Sequence, residues 1–288
     1  MHKLTGAALA MVLVIVGCAG ASQPSPSPSP SPSPSPTPAA ALYLRAWQTQ
    51  ALPPPSTFMF APTLTVADGV LIDNNVAVPA IFPGPLLILP NARTITAAGE
   101  QAIVEQAREL GLLDGETDFS GGAAMPGGVT GHLLIIVDGT RYELTGDPSN
   151  LRMCGNQLCT VDPASPEAFG AFWSLLQNTS PWLEHHLGTT VSYQPERLAV
   201  LLVEPISDNS GLAPNTVEWP LEGDFADFGD PFAGGNDLRC AVVSGTDLAS
   251  LLPVLQGGNQ LSIFVDGAGV ERSVNARALV PDEESPCG

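Results

Sequence analysis

Short apolar runs broken by Asp-Gly pairs set the pattern of this chain. Thr63 to Ala67 and Val70 to Asp73 meet at Asp68-Gly69, and Leu133 to Val137 and Thr140 to Leu144 meet at Asp138-Gly139. Leu261 to Val265 and Val270 to Val274 meet in the same way at Asp266-Gly267. Runs of this length around Asp-Gly predict three β-hairpins. Leu42 to Trp47, Leu198 to Val203 and Leu238 to Val243 read as further strands, the first broken off by Pro53-Pro54-Pro55. Helical spacing appears three times. Thr96 caps a helix with Ile103, Ala107 and Leu110 on one face and Gly111 as its stop. Ser165-Pro166-Glu167 opens the second with a cap, a proline at the first position and an acid in the first turn. Its Phe169, Phe172, Trp173 and Leu176 make a core-facing stripe, and Pro181 ends it. Thr246 caps the third through Leu248, Leu251, Leu252 and Leu255, which Pro253 must kink or shorten.

Between these elements Pro79 to Pro90 reads as an irregular edge segment, Gly121 to Gly131 as a glycine-rich loop, and Asp147 to Pro163 as a polar connection. Ser207 to Asp237 is long, acidic and rich in Gly and Pro, so it reads as loop. Hairpins alternating with three or so packed helices predict an α+β fold with antiparallel sheets. One stretch echoes another: Leu133 to Gly139 and Leu261 to Gly267 match at five of seven positions, each after a helix. A duplicated helix-plus-hairpin unit would produce that match, and so would the limited vocabulary of hairpins. The body therefore divides into two α+β subdomains, residues 41–196 and 197–288, which a duplication would make similar.

The N-terminal pattern is different. Lys3 precedes an uncharged apolar run from Ala7 to Val16, too short for a comfortable membrane-spanning helix. The run ends in Ile15-Val16-Gly17-Cys18, which resembles the lipobox of bacterial lipoproteins. That resemblance implies a signal peptide over residues 1–17. It also implies a Cys18 carrying a diacylglycerol and, on its new amino group, a further acyl chain such as palmitate. The alternative is an ordinary signal peptide, or an uncleaved anchor, with an incidental cysteine. Eight prolines follow at every second position from Pro24 to Pro38, separated by Ser25 to Ser35 and Thr37. Proline fixes φ and disfavours helix before it, so residues 18–40 form a lipidated Cys and an extended polyproline tether. Its fifteen alternating residues span ~45 Å at roughly 3.1 Å each. The expected location is the extracytoplasmic face of the cell membrane.

Charge narrows the partners. Lys3 is the only lysine, and nine arginines face 29 acids, for a formal charge of −19 over the whole chain. A polyanion repels nucleic acid and anionic headgroups, leaving the membrane as partner through the lipid anchor alone. An unknown envelope protein or small ligand is the other expected partner. Arginine without lysine, with abundant Ala, Gly and Pro, follows from a GC-rich genome. Besides Cys18 there are Cys154, Cys159, Cys240 and Cys287. Four cysteines outside the cytoplasm read as two disulfides with three pairings open. Cys154–Cys159 and Cys240–Cys287 are expected, because short sequential hairpins give no reason for crossed bridges. A zinc site is the alternative, although Cys-x4-Cys without a second close pair fits ligand spacing poorly.

Catalytic letters are sparse. Glu184, His185 and His186 are the most suggestive, but adjacent helical residues diverge by about 100° and ligate one metal poorly. The two histidines read as a surface pair near a helix end, and His132 opens a strand with no partner in sequence. Glu222, Asp224, Asp227, Asp230, Asn236 and Asp237 supply oxygens that suit calcium, without the spacing of an EF-hand. A solvated acidic loop looks the same. Gly121-Gly122 and Gly127-Gly128 match no phosphate motif, and no Gly-x-Ser-x-Gly elbow occurs. Asn178-Thr179-Ser180 is a glycosylation sequon by letter only. No cofactor is expected. The leading reading is a non-catalytic binding or interaction module of the envelope. Its rivals are a hydrolase with residues dispersed in sequence, drawing on His185 or His186, and a calcium-stabilised structural module.

Asp68-Gly69, Phe82-Pro83-Gly84-Pro85, Ala107 to Leu112, Arg239-Cys240 and Leu279 to Glu283 carry a resemblance across most of the body. They resemble an uncharacterised group of secreted proteins and lipoproteins from high-GC bacteria. The chain departs from that group in lacking a tryptophan segment before the last hairpin and in its additional Cys154/Cys159 loop. The resemblance implies location and fold and carries no activity.

Overall fold

Leu42, Leu44 and Ala46 alternate with more exposed neighbours along β1 (Leu42–Gln50), the middle of the first sheet. The computed structural model describes residues 41–288 except 54, 78–79, 122–127, 152, 155–156, 159, 206–210, 234, 236 and 288, with backbone only at 153–154 and 157–158. The expected signal peptide, Cys18 and the expected tether therefore lie outside the described residues, as do Cys159 and with it the expected Cys154–Cys159 bridge, Asn236, Gly122 and Gly127. The described residues belong to one compact unit.

β1 pairs with β2 (Leu64–Ala67), which turns into β3 (Val70–Asp73), and β3 pairs with β4 (Asn91–Thr94). The chain passes through α1 (Ala97–Glu109) and β5 (Asp118–Phe119) into the hairpin of β6 (Val129–Val137) and β7 (Thr140–Gly146). After a small ribbon of β8 (Met153–Cys154) and β9 (Gln157–Leu158) come α2 (Pro166–Gln177), α3 (Ser180–Leu183) and β10 (Val191–Ser192). Eight strands result, in the order β10-β4-β3-β2-β1-β6-β7-β5, antiparallel except for β5 on β7. Asp68 and Gly69 have φ 51° and 73°, and Asp138 and Gly139 have 53° and 75°. Both pairs thus make the two-residue turn whose twist suits a hairpin.

α1 and α2 lie where their caps and stripes put them. Thr96 Oγ1 accepts from Gly99 N at 3.2 Å and Ser165 Oγ from Ala168 N at 3.1 Å, each cap worth about 1 kcal/mol. Ile103, Val104 and Ala107 of α1 and Phe169, Phe172, Trp173 and Leu176 of α2 share one core with Leu44, Val66, Leu71, Leu133 and Ile135. Gly111 ends α1 at φ +68°, and a Cβ there would lie 2.6 Å from Ala164 N. The opposite face is covered too: Thr65, Ile72 and Leu134 point away from the helices yet are buried. Covering on both faces explains why Leu133 to Val137 is a continuous apolar run rather than an alternating one.

The second sheet begins with β11 (Arg197–Val203). β12 (Asn215–Glu218), β13 (Asp230–Pro231) and β14 (Arg239–Ser244) follow, then α4 (Gly245–Gly257), β15 (Ser262–Val265) and β16 (Glu271–Ala278). Its order is β12-β15-β16-β11-β14-β13, and β12 runs parallel to β15. Leu248, Leu251 and Leu255 of α4 pack on Leu198, Val200, Leu202, Val274 and Ala276, while Phe58, Phe232 and Leu279 cover Ala199 and Leu201 behind. With four helices, two large sheets and a two-stranded ribbon among the described residues, the fold is α+β.

Three local expectations are corrected. Asn215–Glu218, inside the presumed acidic loop, is an edge strand, because β15 offers its backbone a partner that the polar sequence does not advertise. α4 starts at Gly245 behind Ser244 rather than behind Thr246, and it continues four residues past Pro253. The exposed proline costs one backbone bond within a helix held by its leucine stripe. Asp266-Gly267 is not a two-residue turn. Asp266 N donates to Val270 O at 3.1 Å, and the positive φ belongs to Gly269. The two matching heptads therefore end in different turns and meet different neighbours.

The C-terminal segment joins the sheets. Tyr43 OH donates to Pro281 O at 3.1 Å and Arg45 to Asp282 O at 3.0 Å, both from the first sheet. Arg197 donates to Glu283 O at 2.9 Å from the second. Arg277 and Glu283 form a buried ion pair at 2.7 Å, with Arg277 Nε also donating to Phe58 O at 2.8 Å. Cys240 and Cys287 are disulfide-bonded, tying the end of the chain to β14.

Candidate functional site

A cleft of about 1060 Å³ opens where β16 meets the ends of β1 and β2. Its floor is Ser273 to Arg277, and one wall is Leu261 and Ser262 at the start of β15. The opposite wall comes from Gln48, Thr63 and Asn74, with Gln177 at the end of α2. Two segments form the rim. Residues 56–61 are held by Phe58, fully buried edge-on against Phe232, which leaves Met59 and Phe60 exposed. Residues 82–88 are held by Gln260, whose side-chain oxygen accepts from Gly84 N at 3.1 Å while its own N–H donates to Gly84 O at 3.0 Å. Phe82 is 58 % exposed there and Ile88 38 %.

The lining has a distinct chemistry. Although the chain carries 29 acids, none of the residues lining this cleft is an acid, a histidine or a cysteine. Its cation, Arg277, is already neutralised by Glu283. Gln48, Asn75, Gln177 and Asn275 make no side-chain hydrogen bond with other described residues, so each keeps an acceptor and two donors. Such a surface supplies neutral hydrogen bonds beside aromatic and aliphatic area. It supplies no proton-transfer group next to its hydroxyls.

The residues singled out by sequence lie elsewhere. His186 N-terminally braces α1: its Nδ1 lies 3.2 Å from Thr96 Oγ1, and Thr96 N donates to His186 O at 2.9 Å. Thr96 Oγ1 also accepts from Gly99 N, so His186 meets a hydroxyl that caps the helix. His185 is exposed, and neither histidine lines the three cavities described here. His132 stacks on Trp47 across the β1–β6 ladder, centroids 5.1 Å apart, and the guanidinium carbon of Arg45 lies 4.9 Å from the Trp47 ring centroid. Thr49 Oγ1 is 2.8 Å from His132 Nε2, and burial lowers the pKa of this histidine. The sequon residue Thr179 is buried and accepts from Arg93 at 2.9 Å.

Two smaller cavities hold the acids. One, about 640 Å³, lies at the far end of β1 beside Ala41, Leu42 and Asp68. Burial pushes the pKa of its Glu100 up, against the backbone N–H groups of Gly69 and Leu42 that favour its charge. The other, about 440 Å³, gathers Glu222, Asp224, Asp227 and Asp247 beside Trp219. Asp230 and Asp237 are exposed outside it. Among the described residues, no three His, Cys, Asp or Glu side chains are placed to hold a metal ion.

Sequence reasoning missed the cleft because amides and scattered aromatics carry no spacing signature. Phe82-Pro83-Gly84-Pro85 was its one visible part. Comparison with protein-family models, curated proteins and solved structures finds no match. No helix among the described residues is long and apolar enough to cross a membrane.

Proposed function

We propose that this chain is a lipid-anchored envelope module that binds a ligand in the β16 cleft without transforming it. The observation that carries the reading is the lining: neutral amides with unused hydrogen-bonding capacity, exposed Phe60 and Phe82, and no acid or histidine. At about 1060 Å³ the cleft is just above the ~300–1,000 Å³ range of ligand sites. Its place supports display. Ala41 and Leu42, where the tether reaches the body, lie beside the Glu100 cavity, and Gln48 lies beside the cleft. Six residues of β1 put the two about 20 Å apart. Cys18 would anchor the chain and the Pro24 to Pro38 tether would hold the body off the bilayer.

The test uses the mature chain with Cys18→Ser, which stays soluble on this reading. It is mixed with envelope extract separated into glycan, lipid and peptide pools, and its melting temperature is followed. One pool should raise it, the Gln48→Ala/Phe82→Ala variant should not respond, and the bound component should be recovered intact. Recovery of a cleaved component would establish the hydrolase instead. A response untouched by the cleft variant would move the site elsewhere.

A further inference from the structure

We propose that the ligand is an extended, uncharged peptide segment that adds to the second sheet along an open edge of β16; this names the ligand class for the binding reading above and rests on it. In antiparallel pairing a residue sends both backbone groups to the same neighbour, and successive residues alternate sides. Leu279 N donates to Arg197 O at 3.0 Å, which sets the phase of the β11–β16 ladder. Ser273, Asn275 and Arg277 therefore address β11, and Val274 and Ala276 address the other side. The β15 side keeps the same phase, since Asp266 N donates to Val270 O and Phe264 pairs with Arg272.

There the pairing stops. Ser262, which would come opposite Val274, turns its N–H back to Asn259 O at 2.9 Å. Val274 and Ala276 both line the cleft, yet their side chains are buried in the core under α4. What they turn into the cleft is backbone, one N–H and one C=O each. An unpaired strand edge is a template for another chain, and peptide recognition by strand addition uses it. Two ladder positions span four to five residues at ~3.4 Å each. The amides of Gln48, Gln177 and Asn275 flank this edge, and Phe60 and Phe82 offer apolar seats for alternate side chains. With no acid in the lining and Arg277 paired, nothing there selects a charged residue.

The experiment titrates the mature Cys18→Ser chain with capped, uncharged eight-residue peptides rich in valine and threonine. The same peptides N-methylated at alternate residues, in both phases, and a β-1,4-linked tetramer of N-acetylglucosamine run in parallel. Calorimetry and residue-resolved amide exchange are the readouts. Binding should slow exchange at Val274 and Ala276, and methylation in one phase alone should weaken it about tenfold or more. Ala276→Pro removes a donor that faces the cleft and none that faces β11, so it should weaken binding with β11 protection kept. Equal affinity in both methylation phases, or tetrasaccharide binding without slowed exchange at Val274 and Ala276, overturns the peptide inference and leaves the binding module standing. If no peptide binds while an envelope pool does, the peptide inference alone falls. If neither binds, both readings fall.

Discussion

Asp266 was legible only as half of a turn signal, and its role joins its own turn to Phe225, which is distant in sequence. Its carboxylate accepts from Phe225 N at 2.8 Å, from Val270 N at 2.8 Å and from Ala268 N at 3.1 Å. These bonds, that of Phe225 first, hold its pKa below the usual carboxylate range. A lowered folded pKa contributes stability above the unfolded pKa of about 3.9, and that contribution is lost as pH falls through the folded value. Asp266→Asn should therefore lower the melting temperature at pH 7 and flatten its decline below about pH 4. Thermal melts across that range check it; an unchanged acid limb would show that the three bonds do not favour the charged form. Glu100 has the opposite sign. Its raised pKa means that stability is full below about pH 4.3 and is lost as pH rises through the folded value. Glu100→Gln keeps an acceptor for Gly69 and Leu42 without the charge, so it should melt higher than the parent at pH 7.

At the scale of elements, helices and two-residue hairpins were readable because their forces act within a few residues. Thr96 and Ser165 make their caps three residues on, and Asp68-Gly69 and Asp138-Gly139 turn where their φ preferences allow. β12 was not readable, since its partner among the described residues, β15, is 47 residues on and the strand itself is mostly exposed. The terminal segment was legible as letters in a resemblance, and its role as the link between sheets was not. The Cys240–Cys287 bond closes a sequence separation of 47 residues around this segment. Cys240→Ser should cost about 4 kcal/mol by the chain-entropy estimate, or on the order of 10 °C in melting temperature. Non-reduced trypsin digestion should give Cys240–Arg272 linked to Ala278–Gly288. A species joining these to Met153–Arg197 would show a different pairing.

For the whole molecule, anchoring gives the most direct test. Cys18→Ser should move the protein from the membrane fraction to the soluble fraction or the medium. A mutant that still pellets with membranes after a high-salt wash is not held by lipid. The formal charge of −19 makes adsorption to anionic headgroups a poor substitute. Sequence alone determined the α+β class and the caps of α1 and α2, because periodicity, capping and turn chemistry are local. The tertiary structure alone decided that two sheets meet at a cleft and that its lining holds no acid. It also decided that β15 parts from β16 after Phe264↔Arg272, leaving Val274 and Ala276, paired with β11 on one side, without a strand partner on the other. The physical reason is register: which backbone groups stay unpaired depends on where distant strands stop pairing, and no residue type encodes that stop.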